Sequence, residues 1–279
     1  MSTTIRVAHS PDSDDAFMFW ALARNHVGTG DITFVHELQD IETLNRRALN
    51  GDLDVTAVSI HAYAYLADRY ALLPHGASMG EGYGPRLVSR QPMTPADLRS
   101  TSVAVPGELT SACLALKLFS PGVATHVVPF DRIIAHVRAG EADVGLIIHE
   151  GQLTYADEGL HLVADLGEWW ARETGGLPLP LGGNVIRRDL GEDLVRRVSR
   201  LLRESIAYGL KHRQAAVSYA VDYGRGLDLA KTDEFVGMYV NDRTLDYGED
   251  GRRAVQLFLD RGHEAGVIPR RVQVAWAED

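Results

Sequence analysis

The groups best suited to move a proton are His149 and Glu150, which close the stretch Gly140-Glu-Ala-Asp-Val-Gly-Leu-Ile-Ile-His-Glu150. A neutral imidazole titrates at about pH 6.5 and exchanges protons readily near neutrality. Three further stretches carry polar groups beside apolar runs: Ser10 with Asp12, Asp14 and Asp15; Ser59 with His61; and Thr110 with Ser111. Hydroxyls and unpaired helix-start amides of this kind hold a carboxylate or another substrate oxygen. Each group also has a plainer structural role. Ser10, Ser59, Thr110 and Ser111 suit helix caps, and the aspartates suit a helix start. Glu150 suits a solvated cap, and His149 a surface position where the chain leaves a strand.

The elements that must position these groups read as α/β. Val144–Ile148 is a β-branched apolar run, the pattern of a strand buried on both faces. In an open α/β sheet, ligands sit beyond the carboxyl ends of the strands, which is where His149 falls. Ile5–Ala8, Ile32–Val35 and Val55–Ile60 read as strands, with helices over Ala16–Arg24 and from Asp40 to Leu49. The segment from Gly51 to His61 can be laid over that from Gly140 to Glu150: glycine, acidic residue, Asp-Val, apolar run and histidine recur. Such a repeat predicts two similar α/β units, with His61 and His149 on opposite walls of a cleft.

Further along, Gly76–Gly84 reads as a glycine-dense loop without dinucleotide-binding spacing. Leu87–Ser89 reads as a strand leading into the second unit. Ser102–Val105, Val127–Pro129 and Leu160–Asp165 are its other expected strands, with helices over Cys113–Phe119 and Arg132–Ala139. Trp169 and Trp170 suit either a cleft wall or core packing. The prolines and glycines of Gly175–Asn184 predict an extended linker back to the first unit. Helices over Glu192–Lys211, Ala215–Tyr223, Thr232–Val240 and Asp250–Ala265 then complete its core.

Composition narrows the function. The 279 residues suffice for one large domain or two ordinary ones. A formal net charge of −10 argues against nucleic acid as a partner and leaves an anionic ligand to local donors. Cys113 is the only cysteine, so neither an intrachain disulfide nor a cysteine zinc cluster is expected. The 11 histidines show no His-Glu-x-x-His spacing, and no metal is expected. The first residues lack the basic start and apolar core of a signal peptide, and no run approaches the roughly 20 apolar residues of a membrane span. A cytoplasmic protein without a membrane partner is the expectation.

The order of unit, crossing, unit, crossing and helices predicts a two-lobed, periplasmic-binding-protein-like α/β fold (type II) with the active site in the cleft. The expected first lobe is discontinuous, residues 1–90 plus 183–279, and the second spans 91–182. Five segments then carry a specific resemblance: His9-Ser-Pro-Asp-Ser-Asp-Asp-Ala-Phe, Asp40-Ile-Glu-Thr-Leu-Asn, Asp54-Val-Thr-Ala-Val-Ser-Ile-His-Ala-Tyr, Gly145-Leu-Ile-Ile-His-Glu and Leu177-Pro-Leu-Pro-Leu-Gly. Together they resemble the 1,4-dihydroxy-6-naphthoate synthase family of the futalosine route to menaquinone.

That resemblance implies a lyase that cleaves cyclic dehypoxanthinylfutalosine, a small-molecule carboxylate, without metal or organic cofactor. It implies His149 as catalytic base and substrate contacts from Ala57 to Ser59 and from Ser111 and Ala112. Ser10, His61 and Thr110 join them from the reading of the residues. Some members carry lysine where this chain has Ala57, so a cationic anchor is missing there. The implied reaction removes an acidic proton and breaks a carbon–carbon bond. A general base contributes roughly 10²–10⁴-fold to such a step, and orientation and oxygen-binding donors supply the rest. Two other readings share the fold: the pathway's chorismate dehydratase, and a non-catalytic small-molecule-binding protein.

Overall fold

Strands that are apolar on both faces build the centres of two mixed sheets, and strands with polar faces lie at their edges. The computed structural model describes residues 2–277. The chain opens with β1 (Thr3–His9), α1 (Ser13–Ala23), β2 (Ile32–Leu38), α2 (Ile41–Asn50), β3 (Val55–Ser59), α3 (Ile60–Leu66), β4 (Tyr70–Leu72) and β5 (Ser78–Gly80). It crosses into β6 (Arg86–Ser89), β7 (Ser102–Val105), α4 (Ser111–Phe119), β8 (Ala124–Val127), α5 (Ile133–Ala139), β9 (Val144–Ile147), α6 (Gly151–Thr154), β10 (His161–Asp165) and α7 (Leu166–Thr174). It returns through β11 (Leu179–Arg187) to five helices, α8 (Glu192–Lys211), α9 (Arg213–Ala220), α10 (Leu229–Tyr239), α11 (Asp242–Leu245) and α12 (Gly248–Glu264).

The first sheet runs β2-β1-β3-β11-β4, with β5 also paired to β11, and the second runs β10-β6-β9-β7-β8. Every residue of β3 and β9 is buried, whereas β2 and β8 keep exposed positions at their sheets' edges. The expected lobe divisions move. β6 pairs β9 and β10 in the second sheet, and β11 pairs β3, β4 and β5 in the first, so the chain crosses at 81–85 and 175–178 rather than at 90 and 182. The expected linker Gly175–Asn184 is therefore largely strand. Its hydrogen bonding to β3 is decided by a partner far away in sequence, which local glycines and prolines do not reveal.

Nearly all of α1 is buried because α8, α9 and α10 cover the face that the first sheet leaves open. Val195, Val198, Leu201, Leu202 and Ile206 recur at helical spacing along α8 and form its inward face. Each fully buried side chain of this size contributes about 1.5–3 kcal/mol. Trp170 is core rather than cleft wall: its indole N–H donates to the Pro178 carbonyl at 2.9 Å, and its ring meets Phe258 edge-on at 5.3 Å. Trp169 packs against Phe119.

The lobes are joined by polar contacts as well as by the crossings. Glu150, just beyond β9, accepts from the Ser13 hydroxyl at 3.1 Å and pairs with Arg225 at 2.7 Å. Arg225 also pairs with Asp12 and lies over the Phe130 ring at 4.7 Å. Its backbone is left-handed, at φ +48°. Tyr239 donates to Gln152 at 2.9 Å beside this group. Glu150 is thus a buried link between lobes, not the solvated cap that its position after a strand suggests.

Two substitutions test this architecture. A Cβ on Gly167 would stand 1.9 Å from the Tyr83 carbonyl oxygen of the first crossing, and backbone cannot move aside cheaply. Gly167→Ala should cost about 3 kcal/mol in urea unfolding, and a loss under about 0.5 kcal/mol would show that the crossing shifts freely. Arg225→Met leaves Glu150 buried without its cation and should cost on the order of 2–4 kcal/mol at neutral pH. An unchanged midpoint would show that the lobes are held by packing alone.

Candidate active site

The carboxyl ends of the strands and the starts of α1, α3 and α4 surround a cavity between the lobes. Met18, Ile41, Ile148, Leu181, Phe235 and Tyr239 supply its apolar wall, and its polar groups come from both lobes.

The start of α4 behaves differently from what its two hydroxyls suggest. Thr110 caps the helix, accepting from the Cys113 amide at 3.2 Å and donating to the Gly107 carbonyl at 2.8 Å. The Ser111 hydroxyl accepts from the His61 amide at 3.2 Å and donates to the Leu181 carbonyl. Both hydroxyls are spent on structure. What α4 offers the cavity is the pair of first-turn amides of Ser111 and Ala112, which have no intrahelical acceptor.

Ser59 and Ala57 line the opposite wall. The Ser59 amide donates to Asn45 at 2.9 Å, and its hydroxyl accepts from Asn45 at 3.1 Å, so the hydroxyl proton stays available. Asn184, which pairs with Ala57 in register, also lines the cavity. Gly76 makes room for it: its φ is +77°, and an added Cβ would stand 2.2 Å from Asn184 Nδ2. Lysine and arginine are absent from the lining among the described residues. The polar groups on this wall are neutral, namely Ser59, Ser78, Asn184 and the α4 amides.

The two histidines do not face each other across the cavity. His61 lies behind α4, with Nδ1 3.3 Å from the Thr110 carbonyl and Nε2 buried without a partner. Burial lowers its pKa to about 4, so it is neutral. His149 is buried beside the cavity, which Ile148 rather than His149 lines. Its Nε2 sits 2.9 Å from the Phe130 carbonyl, and its Nδ1 accepts from the Gly151 amide at 3.0 Å. A carbonyl requires N–H at Nε2 and an amide requires a lone pair at Nδ1, so the backbone selects one tautomer.

Ser10 is likewise occupied, its amide on Asp15 at 2.6 Å and its hydroxyl on Asp12. Asp14 turns into the cavity from the first turn of α1. Burial, then the charges of Asp15, Asp12 and Glu150, hold its carboxyl well above the usual carboxylate range. Residue types alone did not single out Asn184, Ser78 or Tyr239, and they placed Asp14 no further than a helix start. A signal existed only for Asp14, in the crowding of three aspartates on one turn. Among the described residues, no group of three or more His, Cys, Asp or Glu side chains is arranged to hold a metal ion.

Residues 5–264 match the menaquinone biosynthesis family. The chain is 43% identical over 257 residues to a 1,4-dihydroxy-6-naphthoate synthase of Thermus thermophilus, covering 92% of this chain and 93% of that protein. It is 39% identical over 275 residues to a protein of the same name from Streptomyces coelicolor, covering 95% of each. An alkanesulfonate-binding protein of Xanthomonas axonopodis, solved with MOPS bound, superposes with a TM-score of 0.73 at 13% identity, over 98% of this chain and 96% of that one. The last is a likeness of fold alone, in the periplasmic-binding-protein-like class. Matched along nearly its whole length by the family and by both relatives, this chain belongs to the menaquinone biosynthesis family alongside the 1,4-dihydroxy-6-naphthoate synthases.

Proposed function

We propose that the chain is a cytoplasmic carbon–carbon lyase that converts cyclic dehypoxanthinylfutalosine to 1,4-dihydroxy-6-naphthoate. The observation that carries this reading is its 39–43% identity to enzymes of that name over more than nine-tenths of the chain. The cavity supports it. The Ser111 and Ala112 amides suit the substrate carboxylate, whose charge the start of α4 favours. Phe235, Tyr239, Met18 and Ile41 suit its ring system, and Ser59 and Asn184 suit its oxygens.

His149 is the base in this reading. Its tautomer leaves the lone pair at Nδ1, now taken up by the Gly151 amide. Catalysis therefore requires the ring or the 149–151 backbone to turn so that Nδ1 meets the substrate. A change in lobe spacing supplies that freedom, because Glu150 next door is one of the residues that tie the lobes. Catalytic contacts of this kind commonly form only in the substrate complex.

Purified protein given cyclic dehypoxanthinylfutalosine should release 1,4-dihydroxy-6-naphthoate, followed by mass spectrometry. No product from folded protein overturns the lyase, and conversion of chorismate would make the chain a dehydratase instead. His149→Asn should lower kcat by roughly 10²–10⁴-fold with little change in KM. A wild-type rate in that variant removes His149 from the mechanism. Asn184→Ala should raise KM about tenfold, the effect of losing one good hydrogen bond, with kcat nearly kept.

A further inference from the structure

Four carboxyl groups meet where α1 starts against the second lobe, and their partners are unequally shared. Arg225 is the cation that reaches them, and it pairs with Asp12 and Glu150. Asp12 also accepts from the Ser10 hydroxyl, and Glu150 from the Ser13 hydroxyl. Asp15 is anchored as an acceptor on the Ser10 amide at 2.6 Å. Asp14 has the Asp15 amide as its stabilising contact and otherwise faces the cavity. The helix start favours anions, but one guanidinium and a few amides do not compensate four crowded carboxylates, two of them, Asp15 and Glu150, buried. Asp14, the least compensated, is the group that keeps its proton.

The other candidates on this wall are already engaged. Tyr239 donates its hydroxyl to Gln152 at 2.9 Å, and burial raises it far above the ordinary phenol range. Glu150 acts as an acceptor, and Asp15, which burial raises to about 7, is held as one by the Ser10 amide at 2.6 Å. The Ser10 hydroxyl already donates to Asp12.

Resting on the lyase reading above, we propose that Asp14 is the acid that protonates the leaving fragment, working as the partner of His149. When the carbon–carbon bond breaks, its electron pair passes to the fragment carbon, which takes the Asp14 proton and becomes C–H. The ring loses a proton to His149, and the electron pair of that C–H bond closes the new aromatic double bond. One proton is removed and one delivered, and nothing is oxidised or reduced. Transfer of one proton from His149 to solvent and of one from solvent to Asp14 resets the site.

The test is Asp14→Asn, which keeps the shape of a neutral acid but has no proton to give. With wild type turning over in parallel, kcat should fall roughly 10²–10⁴-fold while KM stays within a few-fold, and Asp14→Glu should recover part of the loss. Wild-type kcat in Asp14→Asn overturns the role of Asp14 and leaves the lyase intact. No product from wild type overturns the lyase reading, and the role of Asp14 with it.

Thermal unfolding against pH gives a second readout. Below about pH 4 Asp14 is protonated in both folded and unfolded chains, so its buried proton costs nothing there. As pH rises, only the unfolded chain ionises, and wild type should lose stability relative to Asp14→Asn until the folded group also titrates. A difference in Tm that stays constant from about pH 4 to 8 means an ionised Asp14 and overturns the proposal. If Asp14→Asn does not fold, the wild-type kcat decides. Asp14 titrates among Asp12, Asp15, Glu150, Tyr239 and Arg225, and kcat must decline on the alkaline side as it ionises. A kcat flat to about pH 9 excludes it as the acid.

Discussion

The guanidinium of Arg225 holds carboxylates from both lobes at once, beside the start of α1 that lines the cavity. It faces Glu150 from the second lobe and Asp12 from the first, and it covers Phe130, whose carbonyl is the partner of His149 Nε2. Burying Glu150 without that cation would be costly, so the pairing favours one spacing of the lobes. The same spacing brings Ser13, and with it the first turn of α1, against the end of β9. Proton chemistry and lobe geometry therefore share one small group of residues.

A second constraint is the absence, among the described residues, of lysine and arginine from the cavity lining, in a chain with a net charge of −10. The lining offers an anionic ligand amides and neutral side chains instead of a formal charge. Such donors are fixed by the helices and strands that carry them, so they lose little freedom when they bind. They also leave Asp14 without a neighbouring lysine to draw off its proton.

Much of the fold was legible along the chain. The all-apolar runs of β3 and β9, the helix periodicity of α8 and the repeat opening at Gly51 and Gly140 all correspond to local physics: periodicity, capping and strand burial act within a few residues. The lobe crossings were displaced because sheet membership of β6 and β11 depends on partners distant in sequence. The repeat did find two equivalent strand ends, but it did not find where their histidines point.

For the site, the sequence by itself determined the family, the cavity-forming strand ends and the presence of polar residues at Ser59, Thr110, Ser111 and His149. Only the tertiary structure decided what those residues do. It spent the hydroxyls of Thr110 and Ser111 on caps and carbonyls, leaving the amides of α4 as donors. It set His149 on two backbone groups and brought Asn184 and Tyr239 to the wall from segments read as linker and core helix. It also made Glu150 a link instead of a cap. The physical reason is that residue type fixes the donors and acceptors a side chain owns, whereas their partners are fixed by neighbours that arrive only when the lobes fold together.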